Sequence, residues 1–475
     1  MKIKLLYIAL LILLVSCEDF LEEHSQDLVV PQSVQDYNEL LYGEAYMLGS
    51  DRLHEYLELM TDDVKNITSS GSFGTDYREQ GYGYYAWQSD PEVGISGARN
   101  DDNAWEWYYH SILMCNIVIN DVNALAEQSA KKDDLLAEAY FLRAWYYFML
   151  VNLYGEPYEV STADSDLGVP INKLTEASDV LLPRVSVAAN YLEIENDLNK
   201  AIALFNASGL QKDVFRANIK AAYLLASRVA LYQQKYDQAI SYSNLGLGLN
   251  SRLYNFNNLD QWDNNLIEKS NPELLFTYAA DGNSFYYKMG WSTLSTFCAS
   301  DELINLFESN DLRKLINFSE GTGEYYPDKE NWTGYTGVYG KAMRSAEFYL
   351  NRAEAYAEKG DVEKAMADIN EIRKNRFGSD GYELSAANRE EAILLVRQER
   401  RMELCFEDQR WFDLRRWGRP ELVHVYMKDP DNNITNIYVL EENDASYTLP
   451  LPHSVTVFDK EIENIQRPDR NPVNK

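Results

Sequence analysis

Apolar residues recur along this chain at helical spacing, in pieces separated by stretches without a period. Between Lys341 and Arg376, Tyr349, Ala353 and Tyr356 follow one another at steps of four and three, and Ala365, Ile369 and Ile372 do the same beyond Gly360-Asp361. Such steps gather side chains on one face of a 3.6-residue helix, so the stretch predicts two amphipathic helices hinged at Gly360. Aromatic residues alternate with Ala on these faces. Small residues let antiparallel helices approach, and rings fill the spaces beside them. The order repeats from Arg216 to Leu245, where Tyr223 and Ala230 stand in the places of Tyr349 and Tyr356, Tyr236 and Ala239 open the following helix, and Gln234 replaces the hinge glycine. A third pair is predicted from Ala137–Tyr154 and Val187–Phe205, across a connection containing Pro157, Pro170 and Pro183.

Large–small–large helices closed by a turn are tetratricopeptide chemistry. The predicted fold is therefore all-α: a tetratricopeptide-like scaffold with helix pairs at about 137–205, 216–247 and 341–376, long irregular loops, and only minor short β hairpins. The intervening stretches, roughly 66–104, 247–300 and 316–340, are rich in Gly, Asn, Asp and aromatic residues. Insertions of that length in a compact protein tend to carry function. From residue 421 the tail, with Tyr447-Thr448-Leu449-Pro450-Leu451-Pro452, reads as extended and bounded by proline.

The first residues follow a different pattern. Lys2 and Lys4 precede an apolar run from Leu5 to Val15. Those residues span roughly 16 Å as a helix, too short for a ~30 Å bilayer core, and a short apolar run behind positive charge reads as a secretory signal. The run closes on Leu14-Val15-Ser16-Cys17, which resembles the lipobox of bacterial lipoproteins. That resemblance implies removal of residues 1–16, lipidation of Cys17, and a mature substrate-binding domain over 17–475. No later stretch is apolar for long enough to span a membrane.

The formal charge is −31, and losing Lys2 and Lys4 with the leader takes the body to −33. So acidic a surface argues against nucleic acid, whose phosphates need Lys and Arg, and against lying on anionic lipid. With Cys17 lipidated, Cys115, Cys298 and Cys405 remain; no pair has CxxC spacing, and no disulfide framework or metal site is expected.

Aromatic residues suggest chemistry. There are 35 Tyr, 9 Trp and 17 Phe, and ten aromatic residues fall between Gly71 and His110, nearly double the chain's 13% average. A sugar ring offers C–H groups on a face and hydroxyls around its rim, which suit an aromatic ring flanked by planar hydrogen-bonding side chains. Tyr77, Arg78 and Tyr82, set among glycines, are candidate exposed ligand contacts, whereas Tyr84, Tyr85 and Trp87 lead into a helix and read as core. Tyr286 and Trp291 form a second candidate cluster, and Trp332 and Tyr335 a third.

Five motifs, in order, resemble the SusD/RagB family of nutrient-binding outer-membrane lipoproteins of Bacteroidetes, and together they cover nearly the whole mature chain. They are Ser16-Cys17-Glu18-Asp19-Phe20-Leu21; Trp105-x-x-Tyr108-Tyr109-x-x-Ile112-x-x-Cys115-Asn116; Ala137 to Ala144 with Tyr154-Gly155; Arg352-Ala353-Glu354-Ala355-Tyr356 with Ile369 to Arg373; and Glu399 to Leu404 with Arg410 to Gly418. The resemblance implies a lipid-anchored protein on the cell's outer face that captures oligosaccharide, or peptide in some relatives, and passes it to a SusC-like TonB-dependent barrel. It implies no catalysis and no cofactor. The acidic run Glu18–Glu23 looks like the signal for display on the outer face in lipoproteins of the Bacteroidetes type. One departure is Asn464-Ile465-Gln466-Arg467-Pro468, where many members carry Asn-Pro-Gly-Tyr.

Two rivals belong to other classes. A surface glycoside hydrolase needs two carboxylates flanking the scissile bond, and among 75 acidic residues no pair stands out. His24, His54, His110, His424 and His453 are scattered, and no GxSxG, HxxxH or phosphate-binding loop is present. A scaffold that binds only other proteins predicts no small ligand. The Glu and Arg residues of 399–418 look catalytic, but Glu399 and Glu403, like Arg397 and Arg401, lie one helical turn apart and predict a structural Arg–carboxylate network.

Overall fold

The computed structural model describes residues 31–46, 54, 56–67, 78–258, 266, 271–278, 296–321, 323–329, 341–378, 381–427 and 435–474. Cys17 and the leader lie outside the described residues. The long helices are α1 (Ala104–Ala124), α2 (Ala130–Tyr154), α3 (Val187–Ser208), α4 (Ile219–Tyr232), α5 (Tyr236–Leu249), α6 (Ala346–Glu358), α7 (Val362–Lys374) and α8 (Arg389–Leu404). Side chains start five of them. Ser129, Ser186, Asn218, Asp361 and Asn388 each accept a backbone N–H from the first turn of α2, α3, α4, α7 and α8, meeting donors that have no partner inside the helix.

The helices pair as α2–α3, α4–α5 and α6–α7. Both tight hinges use left-handed backbone: Gly360 has φ +80°, and Gln234, at the matching position of the earlier copy, has φ +60°. On the repeat faces Ala353, Ala365, Ile369 and Ile372 are inaccessible, whereas Tyr356 and Tyr236 are half-buried. Helix α5 then lies against α6 closely enough that a Cβ on Gly246 would sit 2.0 Å from the Phe348 ring. Polar pairs fix the register. Arg143 of α2 donates twice to Asp197 of α3, at 2.7 Å each, and Arg228 of α4 donates twice to Glu347 of α6, also at 2.7 Å.

Helix α8 carries the predicted network. Glu403 accepts from Arg376 at 2.8 Å, Arg344 at 3.0 Å and Arg313 at 3.3 Å, while Glu399 accepts from Arg313 at 2.6 Å and Arg373 at 3.2 Å. Arg400 reaches Asp413 at 2.8 Å. These residues are 2% exposed or less. Withdrawing an ion from water costs several kcal/mol, and the arrangement holds only because each carboxylate meets more than one guanidinium. The Glu–Arg cluster thus joins a structural network, as expected, but Glu399 and Glu403 take their partners from outside the cluster, while Arg397 pairs with Glu358 and Arg401 with Asp63.

Strands are few and short: β1 (Val64–Asn66), β2 (Leu274–Thr277), β3 (Phe297–Ala299), β4 (Phe318–Gly321), β5 (Glu324–Pro327), β6 (Ala342–Arg344), β7 (Leu422–Met427), β8 (Thr435–Leu440) and β9 (Val473–Asn474). They pair antiparallel as β1–β3, β2–β6, β4–β5 and β7–β8–β9. Cys115, Cys298 and Cys405 are free and buried. No helix among the described residues is long and apolar enough to cross a membrane.

Candidate ligand-binding face

The three aromatic-rich stretches leave and rejoin the scaffold at neighbouring points. Residues 68–77, 279–295 and 330–340 are outside the described residues, but the backbone at their roots is described. Ile67, before the first stretch, donates its N–H to Thr296 O, after the second, at 2.8 Å; Asn66 Nδ2 donates to the same oxygen. Tyr278, before the second stretch, donates its N–H to Lys341 O, after the third, at 3.1 Å, and Thr277 Oγ1 donates to that oxygen at 2.9 Å. Antiparallel pairs β1–β3 and β2–β6 continue these contacts, so strand pairing is what brings distant segments together.

Beneath the roots lies a turn with unusual backbone. Phe406 and Asp408 both have left-handed φ, +61° and +59°, a conformation costing roughly 1–2 kcal/mol for a residue with a Cβ. Lys329 Nζ donates to Glu407 Oε1 at 2.7 Å and to Glu403 O at 2.9 Å, and Lys341 Nζ donates to Asp408 Oδ1 at 2.9 Å. Both lysines are buried, at 0% and 3% exposure. The ends of the third stretch are thus held by consecutive carboxylates. Asp408 N–H in turn donates to Glu58 Oε1 at 2.9 Å, and His54 Nε2 faces Asp408 Oδ2 at 3.6 Å while its Nδ1 meets the Tyr108 hydroxyl at 2.9 Å.

Charge is unevenly placed here. Burial pushes the Asp408 carboxyl up, but Lys341 and His54 outweigh it and hold Asp408 at about 2. Burial also raises Glu58, and the Asp408 charge adds to that, so Glu58 reaches about 8 and is neutral at pH 7. Arg344 and Lys329 overcome burial to keep Glu407 below the usual carboxylate range. Aromatic rings adjoin the roots: Trp145 of α2 lies 4.5 Å from Tyr278, edge to face, and Tyr85 packs 5.1 Å from Phe297.

Of the sequence-predicted contacts, Arg78 and Tyr82 are described; Tyr77, Tyr286, Trp291, Trp332 and Tyr335 lie outside the described residues. The exposure expected of Arg78 is corrected: it is 3% exposed, with Tyr426 of β7 beside it, whose hydroxyl donates to the Arg78 carbonyl at 3.3 Å. Its Nε and Nη1 have no hydrogen-bond partner among the described residues. Tyr82 is half-buried rather than free, its hydroxyl 3.0 Å from that of Tyr438 and its ring edge-on to Tyr426. Tyr84, Tyr85 and Trp87 are core, as their position before a helix suggests. Among the described residues no cluster of three or more His, Cys, Asp or Glu is placed to hold a metal ion. A separate open groove of about 560 Å³ is lined mainly by polar side chains, with Glu127, Asp134 and Asp213 balanced by Lys131, Lys212 and Arg216.

Two family models match successive parts of the chain. One described as SusD family matches residues 252–466, and one described as starch-binding, associating with outer membrane, matches residues 19–231. The chain belongs to the SusD family. A SusD-like protein of Formosa agariphila, P2, is 22% identical over 95% of this chain and 96% of its own length, and a SusD-like protein of Bacteroides ovatus is 24% identical over 76% and 74%. Among solved structures, a SusD superfamily protein from Bacteroides thetaiotaomicron matches 92% of this chain and 100% of its own at TM-score 0.70 and 22% identity. A putative sugar binding protein from Bacteroides vulgatus matches 92% and 99% at TM-score 0.70 and 21% identity. At such identities the likeness establishes the fold.

For this SusD-family chain, sequence reasoning missed Glu58, Lys329, Lys341, Glu407 and Asp408. The only local signal is Glu407-Asp408 directly after α8, and nothing there names a lysine as partner.

Proposed function

We propose that the protein is a non-catalytic, cell-surface glycan-binding lipoprotein, anchored through Cys17, which captures oligosaccharide and passes it to a SusC-like TonB-dependent barrel. The observation that carries this reading is the tying of all three aromatic-rich stretches, at their roots, to one buried ionic platform on a rigid helical scaffold. In this reading Tyr77, Tyr286, Trp291, Trp332 and Tyr335 supply stacking faces. Arg78 and Tyr82 line the base, Arg78 with donor capacity that no described protein acceptor takes up. The family description naming starch and the outer membrane, and the solved relative described as a putative sugar binding protein, support the same class of ligand.

The test is affinity electrophoresis of the mature body in gels containing starch, xylan, laminarin or mannan. At least one should retard the wild type, and Tyr77→Ala and Trp291→Ala should each weaken that retardation without loss of helical circular dichroism. Loss of one stacking ring should cost about 1 kcal/mol, a five-fold drop in affinity. Retardation unchanged in both variants would remove these residues from the site. Binding of peptides with no polysaccharide retained would favour a peptide-uptake role, and release of new reducing ends would make the protein a hydrolase.

A further inference from the structure

The geometry points to the Cys405–Asp408 turn as a clamp that joins the roots of the three aromatic-rich stretches into one cooperative unit, with Lys329 and Lys341 as its positioning residues. The consequence for binding rests on the glycan reading; the shared opening of the roots does not. Each root reaches the turn through one or two contacts. The third stretch is gripped directly, by Lys329 on Glu407 and Lys341 on Asp408. The second starts at Tyr278, whose N–H is bound to the Lys341 carbonyl. It ends at Thr296, which leads through β3 to Ser300; Ser300 donates its N–H to Asp63 O at 2.8 Å and its hydroxyl to Asp62 O at 2.7 Å. The first follows from the same segment: Glu58 accepts Asp408 N–H, Thr61 Oγ1 bonds back to Glu58 O at 2.8 Å, and Arg401 of α8 donates to Asp63 Oδ1 at 2.6 Å and to Asp62 O at 3.0 Å.

Three physical points favour a clamp over incidental ion pairing. Two left-handed non-glycine residues within three positions are retained only where surrounding contacts over-determine them. Burying two lysine ammonium groups is costly, and here both are spent on one turn, at the two ends of one insertion. The platform is also shared: Glu407 is held by Arg344 of β6, which binds Glu273 at the start of β2 and Glu403 of α8. Releasing one root therefore leaves a buried charge unmatched in the support of the others.

The experiment is amide hydrogen exchange on the mature body, wild type and Lys329→Met, without ligand. The substitution is expected to speed exchange by about ten-fold or more, not only at 326–329 but also at 64–67, 274–278 and 297–299, while the interior of α6 is unchanged. Acceleration confined to 326–329, or none, overturns the clamp. Should Lys329→Met fail to fold, wild-type exchange in increasing sub-denaturing guanidinium decides: the three root segments should open together, with one midpoint below that of α6. Separate midpoints overturn it. In the gels described above, a folded Lys329→Met whose roots have loosened should be retarded less than wild type, and conservative Lys329→Arg should recover part of the loss. Unchanged retardation would deny Lys329 a positioning role, whereas a wild type retarded by no polysaccharide would sink the glycan reading alone.

Discussion

Glu58→Gln offers a quantitative probe of the buried platform. Glu58 is 2% exposed, its Oε1 accepts Asp408 N–H at 2.9 Å, and its Oε2 is buried without a partner among the described residues. Its carboxyl is raised from 4.5 to about 8 by burial and by the charge of Asp408. Below pH 4.5 the group is protonated in both folded and unfolded chains and adds no pH dependence. Between 4.5 and 8 the unfolded chain gives up the proton while the folded one keeps it, so folding loses up to about 1.4 kcal/mol per pH unit. Above 8 both forms are ionised and the slope ends. Over that window the wild type forfeits roughly 3–5 kcal/mol that a glutamine, which does not titrate, keeps. Glutamine retains an oxygen for Asp408 N–H, so the two proteins should be of similar stability near pH 4.5 and diverge as pH rises. Guanidinium unfolding at pH 4.5, 6 and 8 measures the difference directly, because every other titrating group is common to both. Parallel stability curves would mean that Glu58 is already ionised in the fold, with Lys341 as its true counter-ion, and the reasoning about a neutral carboxyl would be wrong.

Two further outcomes concern the scaffold. Glu403→Gln leaves the buried guanidinium groups of Arg344, Arg376 and Arg313 short of charge, and should destabilise the protein by about 3–5 kcal/mol in guanidinium unfolding; a loss below about 1 kcal/mol would show that the network is redundant. Gln234→Gly should raise stability by a few tenths to about 1 kcal/mol, since glycine adopts φ +60° without the Cβ penalty; a decrease would mean that the glutamine side chain contributes more than the strain it imposes.

The repeat helices were legible because their code is local. Tyr349, Ala353 and Tyr356 name a face by spacing alone, and copying that register onto Tyr223 and Ala230 placed the hinge at Gln234, where the backbone is left-handed as at Gly360. That Glu399 and Glu403 serve the scaffold was legible from the density of opposite charges around them, but their partners Arg313, Arg344, Arg373 and Arg376, 26 to 90 positions away, were not. Arg78 was misjudged as exposed because composition reports which side chains could meet a sugar, not which are brought against a segment such as β7, about 350 positions later.

By itself, then, the chain determined its helices, its hinges and the aromatic character of its insertions, all of which depend on neighbours within a few residues. Only the tertiary structure decided that Lys329 and Lys341 meet Glu407 and Asp408, that Glu58 is enclosed as a neutral acid, and that the roots of three distant insertions share one support. Those contacts span 67 to 350 positions in sequence. A charge does not specify its partner at that distance. The packing of strands and helices that buries it does.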